Sequence, residues 1–150
     1  MSMSKLYDGV KVLDMSLNIA APAAASSLGD FGADVIKVER PVCGDDTRMV
    51  YPQLDGFSFS SWWFNRSKRS ITIDLKDPDG IAIIKTMLAD MDVLIESFRP
   101  GVMAKMGLGY EDVKKIKPDI IYCSVSMYGQ TGPDSLKPGY DLLAQARAGL

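Results

Sequence analysis

Gly32-Ala33-Asp34-Val35-Ile36-Lys37-Val38-Glu39-Arg40-Pro41 decides the fold class. Asp34 to Glu39 reads as a strand bounded by a glycine and a proline, and it delivers the cation Arg40 just past its carboxyl end. Before it lies Pro22 to Phe31, small, Ala-rich and apolar; Pro22 suits a first helical turn and Gly32 the C-terminal cap. Before that, Val10 to Asp14 is a short β-rich run. Strand, helix and strand in succession make a βαβ unit, and such units pack into a parallel sheet.

The alternation continues along the chain. Ser70 to Leu75 sets Ile71 and Ile73 against Thr72 and Asp74, as a half-buried strand does. Pro78 to Asp90 is an amphipathic helix whose stripe runs Ile81, Ile84, Leu88, with Lys85 as the one break. Val93 to Ile95 is a buried strand, and Tyr110 to Lys117 a lysine-tipped helix. Asp119 to Val125 reads as the longest apolar strand, Gly129 to Gly139 as a turn-rich loop, and Tyr140 to Leu150 as the start of another helix. The expected fold is α/β: a Rossmann-like, open, mainly parallel sheet with flanking helices. Pro41 to Asn65 reads as a long irregular insertion rich in aromatics (Phe57, Phe59, Trp62, Trp63, Phe64), and such loops are often functional.

Bulk properties bound the function. A length of 150 residues fits one domain, and 47% apolar with 24% charged residues is ordinary for a soluble protein. A net charge of −2 and a pI near 5.1 argue against nucleic acid as the main partner. The apolar runs are too short to span a bilayer, Met1 to Lys5 has no signal-peptide core, and no membrane partner is expected. Cys43 and Cys123 lack C-x-x-C spacing, which points to free thiols and a reducing, cytoplasmic location; there the sequon Asn65-Arg66-Ser67 is chance. The chain has no histidine, which removes Ser-His-Asp and Cys-His catalysis and histidine zinc sites, and no metal site is expected.

Three strand ends then stand out: Glu39-Arg40-Pro41, Asp74-Leu75-Lys76 and Ile95-Glu96-Ser97-Phe98-Arg99-Pro100-Gly101. Ligands of open α/β sheets bind at carboxyl strand ends, and several cations meeting there suit a ligand with several phosphates. The first βα turn, Asp14 to Pro22, holds no glycine, so the dinucleotide fingerprint is missing. Glu39 stands where a ribose-binding acid would, and the adjacent Arg40 suits a ribose phosphate. NADP and coenzyme A both carry one.

The residues resemble the N-terminal part of the family III CoA-transferases, the formyl-CoA and carnitine CoA-transferase group. The resemblance runs from Leu6-Tyr7-Asp8-Gly9-Val10-Lys11-Val12-Leu13-Asp14 to Gly139-Tyr140-Asp141-Leu142-Leu143-Ala144-Gln145. Between these ends lie Gly32 to Pro41, Asn65 to Asp74, Glu96 to Gly101 and Tyr128-Gly129-Gln130-Thr131-Gly132-Pro133. It implies a CoA-binding α/β domain, of which residues 1–150 are the N-terminal part, with acyl-CoA and a carboxylic acid acceptor as substrates and no permanently bound cofactor. It implies phosphate contacts at Arg40 and Lys76, and at Lys105 where relatives often carry arginine, with Leu75, Phe98 and Met106 as the apolar slot for adenine. Ile19, Tyr140 and Asp141 would border the acyl group.

The family's aspartate nucleophile forms a mixed anhydride, and CoA is then carried as an enzyme thioester. That aspartate is expected some thirty residues past Gly139-Tyr140-Asp141, hence beyond Leu150, so no catalytic residue is expected in this chain and the chain alone is expected to be inactive. The family's interlocked homodimer is a further expectation, and a non-catalytic CoA-binding fragment or half of a split enzyme is the alternative. Ile19 stands where formyl-CoA transferases carry glutamine, which disfavours small dicarboxylates such as oxalate and hints at a more apolar acyl group. Tyr140 stands where the related α-methylacyl-CoA racemases place histidine, which favours a transferase over a racemase.

Overall fold

The computed structural model describes residues 5–150. Five strands form one sheet: β1 (Lys11–Met15), β2 (Asp34–Glu39), β5 (Lys68–Thr72), β6 (Val93–Glu96) and β7 (Ile121–Ser124). Every pairing among them is parallel, and the order is β5-β2-β1-β6-β7. The chain winds outward from β1 through β2 to β5, then returns to the other side of β1 as β6 and β7. The topological switch point of this doubly wound sheet therefore lies between the carboxyl ends of β1 and β6.

The two faces are filled differently. On one face, Val12, Val35 and Ile95 meet Ala21 and Ala25 of α1 (Ala20–Asp30). The small residues of α1 let it lie close to the sheet. On the other face, Leu13, Val38 and Leu94 meet Ile84 and Leu88 of α3 (Pro78–Leu88), Met103 of α4 (Val102–Lys105) and Val113 of α5 (Tyr110–Ile116). Ile84, Leu88, Leu94 and Val113 are fully buried, and each such side chain contributes about 1.5–3 kcal/mol. Lys85, the break in the α3 stripe, stays exposed.

The segment Pro41 to Asn65 is not the irregular insertion that its sequence suggests. It folds into a 3-10 turn (Asp46–Met49), a short antiparallel hairpin of β3 (Gln53–Leu54) and β4 (Phe57–Ser58), and the helix α2 (Phe59–Asn65). Ser58 caps α2 by accepting from Ser61 N, and the Ser26 hydroxyl of α1 donates to the Phe64 carbonyl at 2.7 Å. Trp62-Trp63-Phe64 shows no helical period because α2 buries only Ser61. Two further boundaries move. β5 starts at Lys68 and ends at Thr72, ahead of the expected Ser70 to Leu75. β7 has four residues, fewer than the six of β2, so Asp119 to Val125 is not the longest strand. The last helix is α6 (Asp141–Ala148), which buries no residue. No helix among the described residues is long and apolar enough to cross a membrane.

Candidate functional site

The turns that follow β1 and β6 meet at the switch point. Leu17 N–H donates to Ser97 Oγ at 2.9 Å, which ties the β1–α1 turn to the β6–α4 turn. Phe98 N–H donates to Glu96 Oε2 at 2.8 Å, and the Ser124 hydroxyl donates to Glu96 Oε1. The chain then bends at Gly101, whose φ of 84° is in the left-handed region that favours glycine, and enters α4. Lys105 ends α4 and Met106 is its C-terminal cap residue. α4 is a single turn that the alternation of strands and helices in the sequence does not announce.

Leu75, Phe98 and Met106 are each half-buried and all pack against the α3–α4–α5 cluster. The expected phosphate contacts Arg40, Lys76 and Lys105 are all exposed. Lys76 follows β5, and its backbone N–H is held by Asp74 at 2.9 Å. Arg40 follows β2, where its Nε donates to the Gly44 carbonyl at 2.9 Å and its guanidinium pairs with Asp46. The Asp46 carboxylate raises the Arg40 pKa further. Arg40 borders a polar cleft of about 210 Å³ that also includes Glu39, Ser70 and Thr72.

Glu39 does not stand free for a ribose. It is 3% exposed and accepts from two Arg48 nitrogens, Nε at 2.7 Å and Nη2 at 2.6 Å. The Ser70 hydroxyl and Asp45 N–H fill its remaining sites at 2.8 and 3.0 Å. Burial raises the Glu39 carboxyl, but these donors outweigh it and hold the pKa at about 2.

The α1 face of the sheet holds an ionic cluster that the sequence reading did not find. Lys37 is 1% exposed. Its ammonium lies 2.8 Å from Asp45 Oδ2 and 3.9 Å from Asp14 Oδ2, and it donates to the Ser16 carbonyl at 2.8 Å. The Asp45 Oδ2 contact is an ion pair without hydrogen-bond alignment. Lys68, with a side chain 2% exposed, reaches Asp14 Oδ2 at 2.7 Å and the Pro22 carbonyl at 2.8 Å. Asp14 also accepts from Ser16 N–H at 3.0 Å, and Asp45 from Thr47 N–H and hydroxyl at 2.9 and 2.7 Å. This cluster orders the first βα turn, where no glycine nest exists, and anchors the segment after β2 to the sheet. Its one sequence signal is a charge inside each of two apolar strands; the register sets Asp14 directly opposite Lys37. The two arginines that flank Lys68 also pair: Arg66 with Asp30 at 2.7 Å and Arg69 with Asp34 at 2.6 Å.

The hairpin and α2 border an open cavity of about 700 Å³, lined by Val42, Arg48, Leu54, Phe57, Phe59 and Trp62 among others. The expected acyl-site residues lie apart from the buried elements. Ile19 is the N-cap residue of α1 and 53% exposed. Tyr140, 77% exposed, is the N-cap residue of α6. Asp141 occupies the first helical position and not the cap, and it accepts from Gln145 Nε2 at 2.6 Å. α6 is tied to the loop before it by Arg147–Asp134 at 2.7 Å.

The sequence model of CoA-transferase family III matches residues 7–150. The chain belongs to CoA-transferase family III. It is 50% identical over 152 residues to a human succinyl-CoA:glutarate CoA-transferase, covering 100% of this chain and 34% of that protein. It is 43% identical over 143 residues to the beta subunit of a succinyl-CoA–L-malate CoA-transferase from Chloroflexus aurantiacus, covering 95% of this chain and 35% of that protein. The family III chain thus spans about a third of the length of these curated relatives. A solved CAIB/BAIF family protein from Brucella suis superposes with a TM-score of 0.92 at 40% identity, over 98% of this chain and 40% of that one.

Proposed function

We propose that this chain supplies the CoA-binding half-site of an enzyme that moves CoA between carboxylic acids. The observation that carries the reading is the set of residues that follow the carboxyl ends of the sheet strands. Half-buried Leu75, Phe98 and Met106 flank the α3–α4–α5 core cluster, exposed Arg40 and Lys76 follow the carboxyl ends of β2 and β5, and exposed Lys105 ends α4, the helix after β6. A purine seeks apolar faces, and phosphates seek cations. An NADP-binding reading is less well supported, because Glu39 is consumed by Arg48 and the first turn lacks glycine.

The relatives' names support dicarboxylic acids as donor and acceptor, succinate with glutarate or malate. That weighs against the more apolar acyl group hinted at by Ile19. In this proposal the nucleophile is an aspartate outside residues 1–150, acting through an anhydride and then a thioester, while Ile19, Tyr140 and Asp141 border the acyl group. The interlocked homodimer belongs to the same proposal; the exposed Leu142 and Leu143 of α6 support a further surface packing there. The exposed free thiols of Cys43 and Cys123 go with a cytoplasmic location.

The whole protein is tested with succinyl-CoA as donor and glutarate or L-malate as acceptor. New thioester that depends on the acceptor supports the reading; hydrolysis to succinate and free CoA, with no acceptor thioester, overturns it.

A further inference from the structure

Glu96 is the last residue of β6 and is 3% exposed. It sits at the switch point, in register with Met15 of β1 and Ser124 of β7. Among the described residues no cation pairs with it. Its carboxylate instead takes the Phe98 N–H at 2.8 Å on Oε2 and the Ser124 hydroxyl on Oε1. Its carbonyl accepts from Val125 N–H at 2.9 Å.

Burying a carboxylate without a cation is unfavourable. Burial raises the Glu96 pKa, and the Ser124 hydroxyl and Phe98 N–H only oppose that rise. A strand end needs no such group to stop, since a glycine or an Asx turn ends a strand without burying charge. What Glu96 provides is position. The turn it ties carries Ser97, which holds the β1–α1 turn through Leu17, and Phe98, which lies half-buried against the α3–α4–α5 core cluster. Ser124 anchors the other carboxylate oxygen to the neighbouring strand, so the turn is fixed from two sides.

We propose that Glu96 is a positioning residue which, bridging the Phe98 N–H and the Ser124 hydroxyl, fixes the turn that presents Phe98 to the adenine ring of the ligand. This rests on the CoA-binding reading above. Glu96 sets where the aromatic face stands and hence selects for ligands that carry a purine.

The test compares two probes by calorimetry on the full chain: adenosine 3′,5′-bisphosphate, which has the purine, and pantetheine, which does not. Glu96→Ala weakens the bisphosphate about tenfold and leaves pantetheine within about twofold. Glu96→Gln restores the bisphosphate to within about twofold of the parent, because its carboxamide oxygen accepts from Phe98 N–H and its NH2 donates to Ser124. Ser124→Ala, which keeps the carboxylate, weakens the bisphosphate about threefold and covers the case in which Glu96→Ala does not fold. Equal weakening of both probes, failure of Glu96→Gln to restore binding, or an unchanged affinity in Ser124→Ala overturns the inference. If the parent chain binds neither CoA nor the bisphosphate, the CoA-binding reading falls first and takes this inference with it.

Discussion

Replacing Lys37 by methionine tests the buried ionic cluster. The side chain has about the right length, so packing changes little and the charge is what is lost. Three contacts go: the ion pair to Asp45 at 2.8 Å, the weaker one to Asp14 at 3.9 Å, and the bond to the Ser16 carbonyl at 2.8 Å. Asp14 keeps Lys68 at 2.7 Å, so it remains neutralised. Asp45 is 0% exposed, and its Oδ2 has no other partner. Breaking one side of a buried pair costs about 3–5 kcal/mol, and an unmet buried carbonyl adds about 1 kcal/mol. A loss of about 4–6 kcal/mol is expected, a large share of the 5–15 kcal/mol typical of a domain. It should lower Tm by roughly 8–24 °C.

The companion change is Asp45→Asn. It removes the orphaned charge while its Oδ1 still accepts from Thr47, so the double variant should recover about 2 kcal/mol over Lys37→Met alone. Urea unfolding followed by circular dichroism on the four chains of the cycle gives the coupling. A Lys37→Met loss below about 1 kcal/mol, or strictly additive single changes, would refute the account of the cluster as an interdependent anchor.

Acid should weaken the same region. The Glu39 pKa is held at about 2 against 4.5, so its stabilisation is present above pH 4.5 and fades as pH falls toward 2. Because Arg48 is 44% exposed, solvent screening reduces the effect to about 1–2 kcal/mol, and Arg48→Ala should flatten the Tm-versus-pH profile over that interval. Gly80→Ala sets two effects against each other: alanine favours a helix by about 1 kcal/mol, but its Cβ would stand 2.1 Å from the Asp74 carbonyl oxygen. The clash involves backbone and should win, with a net loss of about 1–2 kcal/mol by thermal melting. Arg40→Ala should weaken CoA more than dephospho-CoA in a calorimetric comparison; equal losses would mean that Arg40 does not read the ribose phosphate.

The residues that were legible in the sequence are those whose pattern is local. Asp34 to Glu39 is bounded by a glycine and a proline, and β2 has those ends. Ile84 and Leu88 repeat at helical spacing and are buried at that spacing. The parallel sheet follows from alternation of such elements. What escaped depends on contacts distant in sequence. α2 is held by its Ser58 cap and by Ser26 across α1, which no period in Phe59 to Asn65 announces. Lys37 reads as an ordinary polar residue until the register sets it opposite Asp14 and the segment after β2 brings Asp45 to it. Glu39 reads as a ligand-binding acid because its partner Arg48 lies nine positions on, in a segment with no regular pattern. Glu96 reads in the sequence only as part of a strand end, and its bond to Ser124 depends on the register of β6 with β7.

The measurement that bears most directly on the account is a calorimetric titration of this chain with CoA, with NADP as the control. The account predicts saturable, one-to-one CoA binding and no heat from NADP. Binding of NADP without binding of CoA would contradict it.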